Sequence, residues 1–228
     1  MEQLGSGALR VWAVVVAAGG GTRFGGRKQF AMIRGRPMVD WALSAAKNAV
    51  DGVVLVVPPS DANLSVGDAN RLRDDTRGAD FVVVGGETRS ASVRAGLGVV
   101  PQDAAVIVVH DGARPLASQA LFARVIGAVV DGADAAVPGL AAADTLKRVS
   151  EGVVVEDIAR DEVVAVQTPQ AFRAEVLRRA YSAAGDATDD AVLVAALGVT
   201  VRVVSGEPRN LKVTTPADLE LVQALAGT

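Results

Sequence analysis

Seven short, continuous apolar runs, most of them rich in valine, recur along the chain and predict β-strands. They are Val11–Ala17, Val53–Val57, Phe81–Val84, Ala105–Val109, Ala135–Pro138, Val163–Gln167 and Val199–Val204. Apolar residues fill these runs without alternating with polar ones, which is typical of central strands that are covered on both faces. The pattern therefore predicts a sheet enclosed between two layers.

Helical patterns lie between the strand candidates. One covers Met38–Val50, and another covers Ser118–Val130, whose apolar residues share one face and whose first serine can cap the helix. The last helix has the clearest start, because Thr215 suits the N-cap, Pro216 the first position and Asp218 an approximate capping box. Strands that alternate with helices predict an α/β fold with a doubly wound, mostly parallel sheet.

The segment 139–161 interrupts this alternation, because it shows no helical period. Thr145–Val149 and Val153–Ile158 flank the sequence Ser150-Glu151-Gly152, which predicts a β-hairpin with a glycine turn. A lone hairpin cannot bury both of its faces and is marginally stable by itself. We therefore expect an inserted β-hairpin arm at about 139–161 that packs on a second subunit and forms a homodimer.

Composition narrows the class of protein. The chain has 228 residues, 50% of them hydrophobic, which allows one well-filled core, and we expect residues 1–228 to form a single domain. A net charge of −3 gives no basic face for nucleic acid. No apolar run approaches the roughly 18 residues of a membrane helix, and the absence of cysteine excludes disulfides and thiolate metal sites. We expect a cytoplasmic protein that binds neither nucleic acid nor a membrane.

A glycine-rich stretch, residues 17–29, follows the first predicted strand. Glycine lets backbone N–H groups approach phosphates, the small Ala17 and Ala18 leave room for a base and ribose, and Arg23 and Lys28 add positive charge. A flexible connection would also explain the glycines. The spacing fits neither a P-loop, which needs Gly-Lys-Ser/Thr, nor a dinucleotide fingerprint, because Phe24 occupies the place of its third glycine.

Two more polar stretches follow the third and fourth predicted strands, where open parallel sheets bind ligands. The first begins at Gly85 and the second runs from His110 to Pro115. Asp111 is placed to hold Mg²⁺ or a ribose hydroxyl, although Asp111 and Arg114 could equally form a local ion pair in a turn. We expect His110, the only histidine, to hydrogen-bond near the strand end rather than to act as a base.

Together, these motifs resemble the 2-C-methyl-D-erythritol 4-phosphate cytidylyltransferase family of the non-mevalonate isoprenoid pathway, from Val14 to about Leu219. In chain order they are Ala-Ala-Gly-x-Gly-x-Arg, Lys-Gln, Gly-Gly-x-x-Arg-x-x-Ser, His-Asp-x-Ala-Arg-Pro, Asp-Thr, Thr-Pro-Gln, Thr-Asp-Asp and Asn-x-Lys-Val-Thr. The glycine loop is shared by many sugar-nucleotide pyrophosphorylases, but the ordered combination is specific. The resemblance implies a Rossmann-like nucleotidyltransferase fold and transfer of a cytidylyl group from CTP, with Mg²⁺ or another divalent cation, to a small phosphorylated polyol.

The resemblance also implies roles for individual residues. The expected CTP site comprises Ala17, Ala18, Gly19, Gly21, Gly86, Glu87 and Ser92. The expected catalytic residues are Arg23, Lys28, Arg160 and Lys212. The expected acceptor site comprises Asp111, Arg114, Thr145, Arg160, Thr168, Thr188 and Lys212, with Asp111 also a candidate Mg²⁺ ligand beside the triphosphate. Thr188 could instead cap a helix, and Thr168 could simply precede Pro169 in a turn.

Two departures from the family pattern and three rival functions remain. The loop between Arg23 and Lys28 is short, with Arg27 where the family has proline, and Glu87 stands where aspartate is frequent. A cytidylyltransferase for another polyol phosphate, such as ribitol 5-phosphate, is the nearest alternative. A nicotinamide-dependent oxidoreductase is disfavoured by the failed fingerprint, and a catalytically dead partner by the full set of basic residues.

Overall fold

A mixed eight-stranded sheet with helices on both faces forms the centre of the protein. The computed structural model describes residues 9–20, 24, 26, 28–59, 78–183, 187 and 189–227. The strands are β1 Val11–Val16, β2 Met32–Ile33, β3 Arg36–Pro37, β4 Gly52–Val57, β5 Phe81–Val84, β6 Val106–Asp111, β7 Ala135–Ala141, β8 Leu146–Ser150, β9 Val153–Ile158, β10 Val164–Val166, β11 Gln170–Arg173 and β12 Val201–Ser205. The α-helices are α1 Met38–Lys47, α2 Arg89–Leu97, α3 Gln119–Val130, α4 Ala174–Ala183, α5 Asp190–Ala195 and α6 Pro216–Leu225, and short 3-10 helices cover Lys28–Phe30 and Arg160–Glu162. None of the helices among these residues is long and apolar enough to cross a bilayer.

The sheet order is β10-β7-β11-β6-β1-β4-β5, and β12 pairs with β7. β1 is parallel to both β4 and β6, β4 is parallel to β5, and β12 is parallel to β7. β10 and β11 run antiparallel to their neighbours. The predicted doubly wound, mostly parallel fold is confirmed.

Alternate residues of β1 point into two hydrophobic layers. Ala13 and Val15 belong to a cluster that includes residues of α1 and α3, whereas Trp12 and Val14 belong to one that includes residues of α2 and α4. All four side chains are at most 5% exposed. Burying a valine side chain contributes about 1.5–3 kcal/mol. These two layers explain why the run is continuously apolar.

The expectation that every predicted strand is buried on both faces is wrong for three of them. Phe81–Val84, Val164–Val166 and Val201–Ser205 all contain exposed residues. β5 and β10 are the end strands of the sheet, and β12 pairs only with β7 among the described strands. Each of these three strands therefore has an edge that no other described strand covers. Apolar composition therefore identified these strands but not their position in the sheet.

The helix starts follow the predicted caps. Ser118 accepts a hydrogen bond from the backbone of Leu121 at the start of α3, and Thr215 with Asp218 forms a complete capping box at the start of α6. The helix predicted for Met38–Val50 ends at Lys47 instead, in the turn before β4. Gly52 then begins β4, where a Cβ would lie 2.5 Å from the Trp12 ring, so glycine is needed for this close approach.

The predicted hairpin is confirmed as β8 and β9, which among the described strands pair only with each other. Their two-residue turn, Glu151-Gly152, has positive φ angles of 49° and 80°, the backbone signature of a type I′ turn. Val149, Val153, Val154 and Val155 are 55–64% exposed. The hairpin therefore presents uncovered valines, and its role as an arm is taken up below.

Candidate functional site

Loops after β1, β5 and β6 meet at the carboxyl edge of the sheet. β1 lies between β4 and β6. The chain continues from β1 to β4 on one side of β1, and it later forms β6 on the other side. The backbone N–H of Gly112 donates to the carbonyl of Val16 at 2.9 Å. A Cβ on Gly85 would lie 2.5 Å from that of Ala18, so only glycine allows these two loops to touch. Open parallel sheets bind ligands at such a switch point.

The residues expected to bind CTP lie in and beside these loops. Ala17 is buried, Ala18 and Gly86 are partly buried, and Gly19 and Glu87 are exposed. Ser92 is buried, and its hydroxyl donates to the carbonyls of Thr88 at 2.9 Å and Gly86 at 3.3 Å. Ser92 thus fixes the loop around Gly86, and the binding of CTP by this group stays a prediction.

Asp111, the last residue of β6, contacts two cations. Its Oδ1 accepts a hydrogen bond from Nε of Arg89 at 3.3 Å, and its Oδ2 lies 2.7 Å from Nζ of Lys212. Arg89 begins α2, whereas Lys212 lies between β12 and α6. Residues far apart in the chain therefore converge on one carboxylate, and we call Asp111, Arg89 and Lys212 the Asp111 cluster.

Asp111 and Arg89 keep their charges at neutral pH. Burial by itself would raise the pKa of Asp111, but Arg89 and Lys212 outweigh that effect and hold the pKa well below its usual range. Burial likewise disfavours the charge on Arg89, yet Asp190 and Asp111 together raise its pKa. An ionised carboxylate only accepts hydrogen bonds, so Asp111 is suited to hydroxyl groups of a ligand.

Thr168 and His110 form a buried polar pair directly behind Asp111. The Thr168 hydroxyl accepts the backbone N–H of Asp111 at 3.0 Å and lies 3.2 Å from Nδ1 of His110. Nε2 of His110 faces the carbonyl of Arg114 at 3.2 Å. The prediction that His110 is a hydrogen-bonding residue at the strand end is confirmed. Thr168 is only 4% exposed, so its hydroxyl serves the protein, and its contact with a substrate stays a prediction.

Residues 210–213, which we call the 210–213 segment, bring three basic side chains to this site. Arg114 Nη1 donates to the carbonyl of Asn210 at 2.8 Å, Lys28 Nζ donates to the carbonyl of Val213 at 3.1 Å, and Lys212 reaches Asp111. Burial lowers the pKa of Arg114, and Asp111 opposes that shift. Three separate motifs, which supply Lys28, Asp111 with Arg114, and Lys212, therefore meet at the 210–213 segment.

The 210–213 segment is itself fixed by buried amides. Asn210 is fully buried, and its Nδ2 donates to the carbonyl of Thr168 at 2.9 Å. The Nε2 of Gln167 donates to the carbonyl of Glu207 at 2.9 Å, and the N–H of Glu207 donates back to Gln167 Oε1 at 3.0 Å. These bonds set the position from which Lys212 reaches Asp111.

Thr145 and Arg160 lie at the two sides of the base of the hairpin, where Leu146 pairs with Ile158. Both are exposed, and Nη1 of Arg160 donates to the carbonyl of Ala143 at 3.3 Å. Among the described residues, neither side chain forms a hydrogen bond or an ion pair with the Asp111 cluster. Gly21, Arg23 and Thr188, also predicted for the site, lie outside the described residues.

The described residues do not fit a Mg²⁺ site made by the protein alone. Mg²⁺ prefers several oxygen ligands in octahedral geometry, and these residues hold no cluster of three or more histidine, aspartate or glutamate side chains. Both oxygens of Asp111 already contact cations. We therefore assign no step to a metal held by Asp111, and the role of Asp111 as a Mg²⁺ ligand stays untested.

Three residues of this region were given no role from the sequence. Arg89 donates to Asp190 at 2.7 Å across 101 positions of the chain, and Tyr181 donates to the same carboxylate. Arg89 and Asp190 stand inside the motifs Gly-Gly-x-x-Arg-x-x-Ser and Thr-Asp-Asp. Those motifs were the available signal, but nothing in them shows that the two residues meet.

Comparison with known proteins connects this geometry to a described family. Residues 11–227 match the family described as 2-C-methyl-D-erythritol 4-phosphate cytidylyltransferase. A protein of that name from Rhodococcus opacus is 45% identical over 225 residues, which cover 94% of each chain. The Bifunctional enzyme IspD/IspF of Nitratidesulfovibrio vulgaris is 40% identical over 95% of this chain, which spans 58% of that longer protein.

Solved structures agree with these matches. The 2-C-methyl-D-erythritol 4-phosphate cytidylyltransferase of Thermus thermophilus superimposes with a TM-score of 0.77 at 36% identity, covering 94% of this chain and 98% of its own. The 4-diphosphocytidyl-2C-methyl-D-erythritol synthase of Anaerococcus prevotii gives a TM-score of 0.81 at 27% identity, with 96% of both chains covered. The similarity therefore extends over nearly the whole chain.

Proposed function

This chain belongs to the 2-C-methyl-D-erythritol 4-phosphate cytidylyltransferase family, and we propose that it catalyses the reaction for which that family is named. It transfers the cytidylyl group of CTP to 2-C-methyl-D-erythritol 4-phosphate, with pyrophosphate as the second product. The observation that carries the proposal is the convergence of Lys28, Arg114 and Lys212 at the 210–213 segment, from which Lys212 reaches Asp111. Two anions must meet in this reaction, and a cationic site that is already assembled favours their approach.

The reaction needs alignment and charge neutralisation more than proton transfer. A phosphate oxygen of the acceptor attacks the α-phosphorus of CTP, and the bond from that phosphorus to the bridging oxygen of the β-phosphate breaks. Arg23, Lys28 and Lys212 stabilise the negative charge that builds up on the phosphoryl oxygens. His110 takes no part, because it is fully buried and both of its ring nitrogens are engaged.

The acceptor is held at its two ends. The ionised Asp111 accepts hydrogen bonds from the hydroxyls of the polyol, with Arg114 beside it, while Thr145 and Arg160 bind the phosphate. Thr168 and Thr188 add polar contacts. Support comes from the exposure of Thr145 and Arg160 at the base of the hairpin, where a ligand can reach them. CTP occupies the adjoining loops, with Ala17, Ala18, Gly19, Gly21, Gly86, Glu87 and Ser92 around it.

Mg²⁺ enters as the counter-ion of CTP rather than as a resident ion. This proposal is supported by the Asp111 carboxylate, whose two oxygens already contact Arg89 and Lys212. Mg²⁺ is commonly bound through substrate phosphates with few protein ligands. Calorimetric titration should detect Mn²⁺ binding only when CTP is present, and tight binding without CTP would contradict this assignment.

The hairpin serves as a dimerisation arm, part of a single domain formed by residues 1–228. Four of its valines are more than half exposed, and β8 and β9 pair with no other strand in the described chain. Exposed apolar patches of this kind favour protein–protein contact. Sedimentation should give a dimer mass for the wild type and a monomer mass for Val154→Asp, whereas a monomeric wild type would contradict the arm. A cytoplasmic location completes the proposal, since CTP is supplied inside the cell.

The decisive test is pyrophosphate release from CTP with Mg²⁺, with and without 2-C-methyl-D-erythritol 4-phosphate. Release should require both substrates and should fall sharply when ribitol 5-phosphate replaces the acceptor or another triphosphate replaces CTP. Preference for ribitol 5-phosphate would move the assignment to a different polyol phosphate. No release with any acceptor, from folded protein that binds CTP, would contradict the proposed activity and leave only a nucleotide site.

A further inference from the structure

A buried carboxylate lies behind the Asp111 cluster and contacts it through Arg89. Asp190, the first residue of α5, is completely buried. Its Oδ2 accepts a hydrogen bond from Nη2 of Arg89 at 2.7 Å, and its Oδ1 accepts the hydroxyl proton of Tyr181. A buried carboxylate is costly unless both of its oxygens are satisfied. Asp190 meets that condition through one residue of α2 and one of α4.

Arg89 is therefore held between two carboxylates. Nη2 binds Asp190, and Nε binds Oδ1 of Asp111 at 3.3 Å, so one planar guanidinium joins the buried Asp190 to the site. The guanidinium has fixed geometry. If the contact with Asp190 changes, the Arg89 guanidinium changes position, and the geometry of its hydrogen bond to Asp111 changes with it.

The two cations on Asp111 differ in how firmly they are held. The Arg89 side chain is 24% exposed, and its guanidinium is bound by Asp111 and by Asp190. The Lys212 side chain is 40% exposed. A lysine ammonium is a point charge on a flexible stem. Lys212 can thus move toward a phosphate when substrates bind, and Arg89 is then the partner that keeps Asp111 in place.

We propose that Asp190 is a positioning residue of the acceptor site: by clamping Arg89, with Tyr181 completing the clamp, it fixes the orientation of the Asp111 carboxylate. This inference rests on the proposed function, in which Asp111 binds the acceptor. Asp190 touches no substrate in this scheme and acts only through Arg89. The expected consequence is a selective loss of acceptor binding, with CTP binding preserved.

The test compares Asp190→Asn and Tyr181→Phe with Arg178→Gln in steady-state pyrophosphate release, varying CTP and acceptor separately. Arg178 lies on α4 with Tyr181, but it donates to Val100, Pro101 and Gln102, away from Asp111.

We expect Asp190→Asn to raise the KM for the acceptor about 10-fold or more, because a small misplacement of a binding group costs up to roughly 100-fold. Tyr181→Phe, which removes the hydrogen bond from the Tyr181 hydroxyl to Asp190, should raise it about 2- to 5-fold. In both variants the KM for CTP should stay within about 2-fold of the wild type, and Arg178→Gln should lower Tm without changing either KM.

Two results would overturn the positioning role while leaving the proposed function intact. One is a wild-type KM for the acceptor in both Asp190→Asn and Tyr181→Phe. The other is an equal rise in the KM for CTP and the KM for the acceptor, in proportion to the decrease in Tm. That result is expected if the substitution only destabilises the protein. Should Asp190→Asn fail to fold, Tyr181→Phe alone carries the kinetic comparison.

A crystal structure of one variant separates the two proposals if the wild type has no acceptor-dependent activity. In Asp190→Asn, or in Tyr181→Phe if the former does not fold, the Arg89 guanidinium should shift and the Asp111 carboxylate should rotate relative to the wild type. An unchanged Asp111 in that structure would contradict the positioning role whatever the enzyme acts on. A rotated Asp111 would support it even if the acceptor proved to be a different molecule.

Discussion

The hydroxyl of Thr168 lies 3.2 Å from Nδ1 of His110 and at the same time accepts the backbone N–H of Asp111 at 3.0 Å. Because Nε2 of His110 faces a carbonyl, that nitrogen must carry the proton, and Nδ1 accepts the proton of Thr168. The end of β6 is therefore fixed by a neutral, buried imidazole. Asp111 is held from behind by this pair and from the side by Arg89.

Burial of His110 should make the stability of the protein depend on pH. Burial lowers the pKa of His110 from 6.5 to about 4, so between these values the unfolded chain binds a proton that the folded chain does not. The stabilising contribution is complete above pH 6.5 and is lost progressively as the pH falls toward 4, by about 3 kcal/mol at most. Urea unfolding at pH 7, 6 and 5 should show a smaller decline for His110→Asn than for the wild type. Parallel declines would contradict a neutral His110.

The sequence predicted those strands whose burial on both faces requires a continuous run of apolar residues. β1, β4 and β6 are covered on both faces, so their apolar runs are continuous and easily recognised. β11 was missed because Gln170-Ala171-Phe172-Arg173 places polar residues at both ends of a short antiparallel strand. Gln170 nevertheless is only 2% exposed, since the tertiary structure rather than the local pattern covers it.

Some residues of the Asp111 cluster and its surroundings were predicted from the sequence, but Arg89 and the contacts among them were not. Lys28 and Asp111 were found because a glycine-rich loop and a strand end mark them locally, whereas Lys212 was found through the resemblance to the family motif Asn-x-Lys-Val-Thr. The contact between Arg89 and Asp190 joins α2 to α5, and no period or spacing encodes a contact across that distance. The turn of the hairpin was predictable for the opposite reason, because Gly152 marks its positive-φ position within two residues.

Removal of Lys28 should slow the reaction without unfolding the protein. Lys28→Ala removes a charge that reaches the 210–213 segment, where the triphosphate is proposed to react. We expect kcat to fall by about 10²–10³, the usual effect of losing one group that stabilises a transition state. The matched control is Lys47→Ala, an exposed lysine at the end of α1. A Lys28→Ala enzyme that has wild-type turnover would remove Lys28 from the catalytic group.

The cap of α6 should stabilise the segment that carries Lys212. The Asp218 carboxylate accepts hydrogen bonds from the backbone N–H groups of Thr214 and Thr215, both at 2.8 Å, and from the Thr214 hydroxyl at 2.7 Å. Asp218→Ala should lower the free energy of unfolding at pH 7 by about 1–2 kcal/mol, the usual value of a helix cap. Glu220→Ala, an exposed change in the same helix, should alter it by less than about 0.5 kcal/mol. Equal effects in urea unfolding would mean that the cap is not a specific stabiliser.

The same cap should be sensitive to acid. The hydrogen bonds from Thr214 and Thr215 lower the pKa of Asp218 from 3.8 to about 2. The stabilisation is therefore present above pH 3.8 and is lost as the pH falls through about 2. The difference in stability between the wild type and Asp218→Ala should shrink over this window. A constant difference between pH 4 and the acid limit of folding would contradict the cause assigned to this pKa.

Mixing two inactive variants should show whether the hairpin arm completes the active site of the other subunit. Arg160 lies at the base of the arm, and Lys28 contacts the 210–213 segment. If Arg160 serves the partner's site, a hybrid of Arg160→Ala and Lys28→Ala subunits contains one doubly substituted site and one intact site. Random mixing makes about half of the dimers hybrids, so about a quarter of the wild-type turnover should return. If Arg160 serves its own subunit, every site carries one substitution and no turnover returns, which would mean that Arg160 does not complete the partner's site. The control mixes each variant with itself after the same unfolding and refolding, and must show no gain.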